Sequence, residues 1–599
     1  MKNIKLLFKF LEGNRLVYFG AVAAICFSTF FTAAVPITIS SIIDSIIGDK
    51  PMNLPSWIMR YINQIGGRSA LLKYLFAVCM ILVLITLGQG LFYYLKGKLS
   101  AVASENSAKN IREKVYNHLQ HVPYDYHVKT QAGDLIQRCT SDIDTIRGFV
   151  ASQMVDIAQI IISFTYVFLM MLSMNTRYTL ISVMLVPVIF VFTIIFFINM
   201  KKTFKLTDEA EGSMSSTLQE NLTGTRVVRA FGAQSFEIQK FDEKSMAYRD
   251  YIKKIILLMS NFWSNSNLMC MLQYEIVLVT GIYLMISGGI TIGTFVAFSS
   301  LAGMLIWPIR QLGQNLAFMG QAFISLNRIQ EILDAKVELS EPNEHEPQIS
   351  GDIEFDNVYF EYEKDKPVLN DISFRIKRGQ TIAVLGSTGS GKSSLVHLLL
   401  RLYDYQCGSI KLDGIELKDI KKKWLRENIG IVLQEPFLFS KTIGNNIKMG
   451  KSDAPEQEVH SASSIASIHD TILGFEKGYD TLIGERGVTL SGGQRQRLAI
   501  ARTVIRDVPI LIFDDSLSAV DMETDAAIRA ALKERSRNTT TIIISHRITT
   551  LAEADLIFVL DGGKVKQSGT HEELINQDGL YRRVWLIQNS LEEELAQIV

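Results

Sequence analysis

Residues Gly386, Ser387, Thr388, Gly389, Ser390, Gly391, Lys392 and Ser393 form the pattern GxxxxGKS, with Ser394 directly after it. Glycines at these positions let successive backbone N–H groups converge on one point, and phosphate oxygens are the ligand that such a concavity suits. The pattern carries chemistry only between a strand and a helix. The run Thr381–Leu385 reads as a buried strand, and the apolar stretch after Ser393 reads as a helix whose N-terminus adds positive potential. Lys392 is expected to reach the β- and γ-phosphates of a nucleotide, and Ser393 to ligate Mg²⁺. A glycine turn without nucleotide is the competing reading, and the matching flanks disfavour it.

Ile510–Phe513 reads as a second apolar strand, ending in Asp514 and Asp515. A carboxylate at a strand end beside a phosphate loop typically holds magnesium, and that role falls to Asp514. Leu490, Ser491, Gly492, Gly493 and Gln494 open a helix that runs on through Arg502. A serine, two glycines and a helix N-terminus make a second anion site. One domain has no use for two γ-phosphate sites on different faces. A head-to-tail pair is the natural solution, in which this loop caps ATP held by a second copy or a partner.

The elements that must position these groups begin at Gly351, where short β-branched strands start to alternate with helices, the pattern of an α/β domain over 351–599. Asp334–Ser350, rich in Glu and Pro, reads as a linker. The region 1–333 is written for a different solvent. Leu16–Ile43, Tyr74–Leu95, Ile157–Thr176 and Tyr178–Met200 are uncharged, and each approaches or exceeds the roughly 20 residues needed to cross a bilayer. Ile255–Ile309 is interrupted by Glu275, and the turn signal Gly288-Gly289-Ile290-Thr291 divides it into a fifth and a sixth span. Lys and Arg concentrate in the loops after the second and fourth spans, which places those loops and both termini in the cytoplasm. Both loops read as helical throughout and would extend about 25 Å or more beyond the bilayer. Met1–Asn14, with Lys2, Lys5 and Lys9 among leucines and phenylalanines, reads as an interfacial amphipathic helix rather than a signal peptide.

Composition agrees with a chimera of membrane and soluble parts: 48% of the 599 residues are apolar and 20% charged. The 61 basic residues balance 61 acidic ones, so nothing suggests a nucleic-acid partner. Cys26, Cys79, Cys139, Cys270 and Cys407 form no CxxC pair, and neither a zinc framework nor structural disulfides are expected.

With these motifs in place the sequence resembles the ABC transporter family, specifically its half-transporter exporters, over essentially the whole chain. The resemblance implies ATP and Mg²⁺ as cofactors and a second half-transporter as partner. It implies that Tyr362 stacks on adenine, that Gln434 senses magnesium, that His546 contacts the γ-phosphate, and that Asp521, in Ser518–Asp521, belongs to a loop crossing the dimer interface. Gly484–Gly487 is similar to the exporter-specific loop before the signature. Thr130–Arg138 and Glu220–Phe231 resemble the two coupling-loop regions, whose tips would dock on the ATPase domains and transmit their closure.

One position departs from the family pattern. The residue after Asp514 should be a Glu that polarises the attacking water, and here it is Asp515. Its carboxylate retreats by about 1.5 Å, and errors near 1 Å can cost on the order of 10²-fold in rate. The signature Leu490–Gln494 is intact. That combination resembles one subunit of heterodimeric bacterial exporters, in which the partner supplies the Glu. A homodimer in which Asp515 serves adequately is the alternative, and the retained His546 favours it.

For the cargo, ionisable groups at bilayer depth are the first candidates. Glu275 should lie about 20 Å below the outer surface and Arg310 about 25 Å. They either pair with each other or line a cavity, with Trp307 beside them. Phe262, Trp263, Phe298 and Phe318 are as readily packing as pocket. The expected function is alternating-access export of amphipathic or hydrophobic compounds, a multidrug-type efflux across a bacterial plasma membrane. A homodimeric lipid or peptide exporter, or an ATP-binding regulatory subunit without turnover at its own site, are the alternatives. An importer is disfavoured because the membrane and ATPase parts share one chain.

Overall fold

Apolar runs of span length become helices that continue well past their apolar part. The computed structural model describes residues 2–48, 60, 75–338, 344–484, 487, 490–517, 520–535 and 539–598. They form two units: Met1–Val122 with Thr130–Lys336, and Pro123–Lys129 with Val337–Val599.

In the first unit, among the described residues, five helical segments are long and apolar enough to cross a membrane: Arg15–Ile47, Cys79–His121, Ala132–Met174, Thr176–Thr223 and Gln234–Ile286. The helix Ile292–Asp334 adds a shorter apolar stretch, Ile292–Ile306. The polar sequence between apolar runs is helical too, as its composition predicts, and the chain reverses through the short helices Tyr124–Lys129 and Thr225–Ala230. Helix Lys2–Phe10 buries Leu7, Phe10 and the following Leu11 while its Phe8 stays exposed.

Breaks in the long helices have local causes, and polar side chains satisfy the backbone groups they free. Asn175 ends one helix and caps the next, its side chain accepting from Tyr178 N at 3.0 Å. Pro187 opens the helix Val186–Thr223 and leaves a break at 183–185. The fully buried Gln273 closes that break, accepting from Leu185 N at 2.7 Å and donating to Ile181 O at 3.0 Å. In hydrocarbon an unsatisfied backbone group costs several kcal/mol (roughly), which explains an amide in this position. Gly288 (φ +75°) turns the chain between Ile286 and Ile292. Asp44 then accepts from Gly293 N at 2.9 Å and from the Thr291 hydroxyl, so a carboxylate sits at the positive end of the helix Ile292–Asp334. Buried Lys96 donates to Asp156 at 3.2 Å and to Gln159 at 2.7 Å.

The segment that folds with the second unit is Pro123–Lys129, directly upstream of Thr130–Arg138. Asp134 and Arg138 belong to the first unit and spend their charges there: Arg328 pairs with Asp134 at 2.6 Å, and Arg138 with Glu331 at 3.0 Å.

The second unit holds two sheets. Strands β1 (Ile353–Glu363), β2 (Lys366–Ile376), β4 (Cys407–Leu412) and β5 (Ile415–Glu416) form an antiparallel sheet in the order β2-β1-β4-β5. The other strands are β3 (Thr381–Gly386), β6 (Ile429–Val432), β7 (Ile510–Asp514), β8 (Thr540–Ile544), β9 (Leu556–Asp561) and β10 (Lys564–Gly569). They pair in the order β10-β9-β3-β8-β7-β6, parallel except for β10. Ile382, Val384, Ile510, Ile512, Ile542 and Ile544 are buried in one core. Parallel strands covered on both faces read as such unbroken apolar runs. Acidic residues of the 334–350 stretch fasten it to this unit. Glu338 forms a two-point pair with Arg426 at 2.8 and 3.1 Å, Glu344 meets buried Arg401 at 3.0 Å, and Glu346 meets Lys421 at 2.8 Å.

Candidate functional site

The parallel sheet delivers the phosphate loop and the acidic pair to the same end. The loop follows β3, Asp514 ends β7, and β8 lies between them, paired with both. Ligands of open α/β sheets bind at the carboxyl ends of the strands. Gly389 and Gly391 have φ of +81° and +100°, and a Cβ at Gly391 would lie 2.5 Å from Leu369 Cδ2. A Cβ at Gly386 would meet Leu560 O at 2.5 Å. Only glycine suits the loop at these points, and its path ends on the first turn of the helix Lys392–Leu399.

Lys392 folds back over the loop, its Nζ donating to Gly386 O at 2.8 Å and Ser387 O at 2.9 Å. Burial pulls its pKa down, and the charges of Asp514 and Asp515 oppose that. Ser393 Oγ donates to Asp514 Oδ1 at 3.3 Å, bringing the two expected magnesium ligands together. Burial pushes the Asp514 carboxyl up, against the Ser393 bond and the charges of His397 and Lys392. Ser390 Oγ is buried and has no hydrogen-bond partner among the described residues. A buried hydroxyl without a partner among the described residues, beside an ammonium that donates to backbone carbonyls, fits a triphosphate. A serine hydroxyl beside a carboxylate fits Mg²⁺, a hard cation that takes oxygen ligands.

Asp515 follows at φ +46°, a left-handed backbone that Asp tolerates better than most residues. Its N–H donates to Ile544 O at 2.9 Å, and its Oδ2 accepts from Gln434 Nε2 at 3.3 Å. Burial raises its pKa, while His546, Lys392 and Arg547 pull it down, so the expected switch histidine faces this carboxylate electrostatically. The His546 backbone is pinned by Gln588, whose Nε2 donates to His546 O at 2.8 Å. Asp514, Asp515, Gln434, His546, Lys392 and Ser393 thus share one site.

Tyr362 of β1 is 41% exposed beside this site. Its hydroxyl lies 3.0 Å from Ser394 Oγ and 3.1 Å from His397 Nδ1, linking it to the helix that follows the phosphate loop. His397 and Tyr403 are the residues that sequence reasoning missed. They come from separate turns and meet Tyr362 only in three dimensions, and no spacing announces that.

The signature forms its own structure. Ser491 caps the helix Gly492–Val504 through a reciprocal box: Gln494 N donates to Ser491 Oγ at 3.3 Å, and Ser491 N donates to Gln494 Oε1 at 2.9 Å. Ser491 and Gly492 are exposed, and Leu490 is buried beneath them. Among the described residues no hydrogen bond joins these five positions to the phosphate loop. Asp521 caps the helix Met522–Arg535, accepting from Thr524 N at 2.8 Å. Glu485, Arg486 and Ser518 lie outside the described residues. In the membrane unit Phe262 is buried 4.0 Å from the Phe196 ring, and Phe298 4.3 Å from the Tyr178 ring, so both serve packing. Glu275 is exposed, whereas the side chains of Trp307 and Arg310 lie outside the described residues.

Comparison with known proteins agrees with this geometry. The family description "ABC transporter transmembrane region" matches residues 18–309, and "ABC transporter" matches 369–518. The ATP-binding/permease protein YgaD of Bacillus subtilis, named for multidrug export, is 34% identical over 80% of this chain and 83% of its own length. The ATP-dependent lipid A-core flippase of Pseudomonas aeruginosa is 34% identical over 86% of this chain and 85% of its own. A solved structure of a bacterial Atm1-family ABC exporter with ATP bound superposes with a TM-score of 0.83 at 28% identity, covering 96% of this chain and 99% of that one. The chain belongs to the ABC transporter family: it is an ATP-hydrolysing exporter subunit with a helical transmembrane domain fused to an α/β ABC ATPase domain.

Proposed function

We propose that this chain is half of a heterodimeric exporter of amphipathic or hydrophobic compounds, working from a bacterial plasma membrane with six spans and cytoplasmic termini. Its own nucleotide site is slow, and its signature loop completes the competent site of a Glu-bearing partner. The observation that carries this reading is Asp515: a shortened carboxylate next to Asp514, drawn to the side chain of Gln434 at 3.3 Å. The relatives' names, multidrug export and lipid A-core flipping, support a cargo with a large apolar part.

Lys392 and the loop N–H groups bind the triphosphate of ATP, and Tyr362 holds its base. Ser393, Asp514 and Gln434 would hold Mg²⁺, which when bound neutralises charge on the β- and γ-phosphates. Asp515 would have to orient water from a position about 1.5 Å too far back, and near that error rates fall on the order of 10²-fold. His546 stays beside the γ-phosphate position, so binding and closure survive while turnover is slow.

The test is the Mg-ATPase rate of the chain alone in lipid, beside Asp515→Glu. The slow-site reading expects a wild type near background and a rise of roughly 10-fold or more in the variant. A brisk wild type makes Asp515 a competent catalytic residue and favours a homodimeric exporter of lipid or peptide, a reading His546 already supports. Failure of both proteins to turn over, with ATP still bound, favours a purely regulatory subunit.

A further inference from the structure

Tyr362 belongs to a frame of rings that extends beyond the nucleotide site. Its ring meets Tyr403 edge-on, with centroids 4.9 Å apart and an interplanar angle of 85°. Tyr403 in turn meets Tyr124 at 5.8 Å and 90°. His397 closes the group, 6.0 Å from Tyr403 and 6.1 Å from Tyr124. Buried Phe360 supports Tyr362 from the same strand at 4.7 Å. Edge-to-face pairs of this kind are directional, because the positive edge of one ring seeks the negative face of the next.

The hydroxyl bonds to Ser394 and His397 fix one end of Tyr362. They leave the ring free to rotate about its own long axis, and that rotation decides whether a face is presented to a base. Tyr403 and Phe360, each edge-on to the Tyr362 ring, limit it. Burial, with the charge of Asp125 and the neighbouring tyrosines, pushes the Tyr403 hydroxyl up to about 12. Tyr124 and Asp125 both lie on the short helix Tyr124–Lys129, which folds with the ATPase unit although the chain reaches it from the helix Leu75–His121.

We propose that Tyr403 is a positioning residue for the base-stacking ring of Tyr362, and that Tyr124 completes its support, so that affinity for the nucleobase depends on the helix Tyr124–Lys129. By linkage, a bound base then steadies that helix as much as the helix steadies the base. The inference rests on the reading of Tyr362 as the base-stacking residue.

Calorimetric titration of the full chain in lipid nanodiscs with ATP, and separately with inorganic tripolyphosphate, tests it. Tripolyphosphate uses the phosphate loop alone and reports damage to the loop rather than to the base pocket. Tyr403→Leu and Tyr124→Ala are expected to weaken ATP roughly fivefold or more, a typical loss for base stacking, and to leave tripolyphosphate unchanged. Tyr403→Phe, which keeps the ring, is expected to bind ATP like wild type. Tyr362→Ala separates the two ideas. If it weakens ATP while Tyr403→Leu and Tyr124→Ala do not, base stacking stands and the positioning role falls. If it leaves ATP unchanged, base stacking falls and takes the inference with it. Equal loss of both ligands in Tyr403→Leu and Tyr124→Ala overturns the inference too, because it assigns those rings to packing alone.

Discussion

The phosphate loop is the part of the site that covalent spacing fixes most tightly, because each glycine answers a different steric demand. Gly389 and Gly391 both need positive φ, but a Cβ at Gly389 would enter open space whereas one at Gly391 would strike Leu369 Cδ2 and approach Val368 O to 3.0 Å. Gly389→Ala should therefore carry backbone strain alone, about 1 kcal/mol. Gly391→Ala adds a clash between the loop and β2 and should cost about 2–3 kcal/mol. Chemical denaturation of the two variants checks this ordering, and equal losses would mean that the Leu369 contact is irrelevant. ATP affinity should fall further in Gly391→Ala, since that residue directly precedes Lys392. Such residues were legible in the sequence because the loop is local. Tyr362 was legible only through the family resemblance, and the bonds of its hydroxyl to Ser394 and His397 were not, since β1 and the helix Lys392–Leu399 meet only after folding.

At the scale of elements, the apolar runs announced the membrane helices, and the turn signal at Gly288 marked a real break. What repairs the breaks was hidden. Gln273 lies far along the chain from Leu185, and Asp44 farther still from Gly293, so periodicity carries no trace of either contact. Helix packing predicts its own test. A Cβ at Gly281 would collide with the Tyr178 hydroxyl and lie 2.5 Å from Phe295 Cδ2, just where Tyr178 donates to Val277 O at 2.8 Å. Gly281→Val should break that bond and destabilise the membrane unit by about 2–3 kcal/mol, visible as a lowered unfolding temperature in lipid.

The acidic stretch after residue 334 makes a second case. Its composition reads as a linker, and its Glu338, Glu344 and Glu346 are each matched to Arg or Lys of the ATPase unit. Burial alone would raise the Glu338 carboxyl, but the hydrogen bonds and charge of Arg426, with Lys422 nearby, hold it below its ordinary value of 4.5. A depressed folded pKa stabilises above the ordinary value and loses that contribution as pH falls through the folded one. Glu338→Gln should thus lower the ATPase unit's stability by about 1–2 kcal/mol at neutral pH. The gap to wild type should narrow below about pH 4.5, which thermal unfolding across that range would reveal. A gap that persists in acid would assign Glu338 to packing instead of charge.

For the whole molecule, the proposed function turns on an asymmetry between the two ends of one ATPase domain. The phosphate-loop end has all its binding groups and a shortened carboxylate, while the signature end has an intact, self-capped helix start. If the partner carries the competent site, that site is made from the partner's loop and this chain's Ser491. In the purified heterodimer, Ser491→Ala should then reduce ATP turnover at least 10-fold, on the scale of losing one stabilising group at a transition state. Lys392→Ala in the same chain should reduce it far less, because the site it damages contributes little turnover. The two effects separate cleanly in a steady-state ATPase assay, since both variants keep the same partner. Similar losses from the two substitutions would mean that both sites turn over, and Asp515 would then be a working catalytic base despite its length. The sequence alone could pose this question, because Asp515 and the signature are both local motifs. It favours the heterodimer, and the decision falls to the second ATPase domain that completes each site, whose residues opposite Asp515 are written in another copy or another chain.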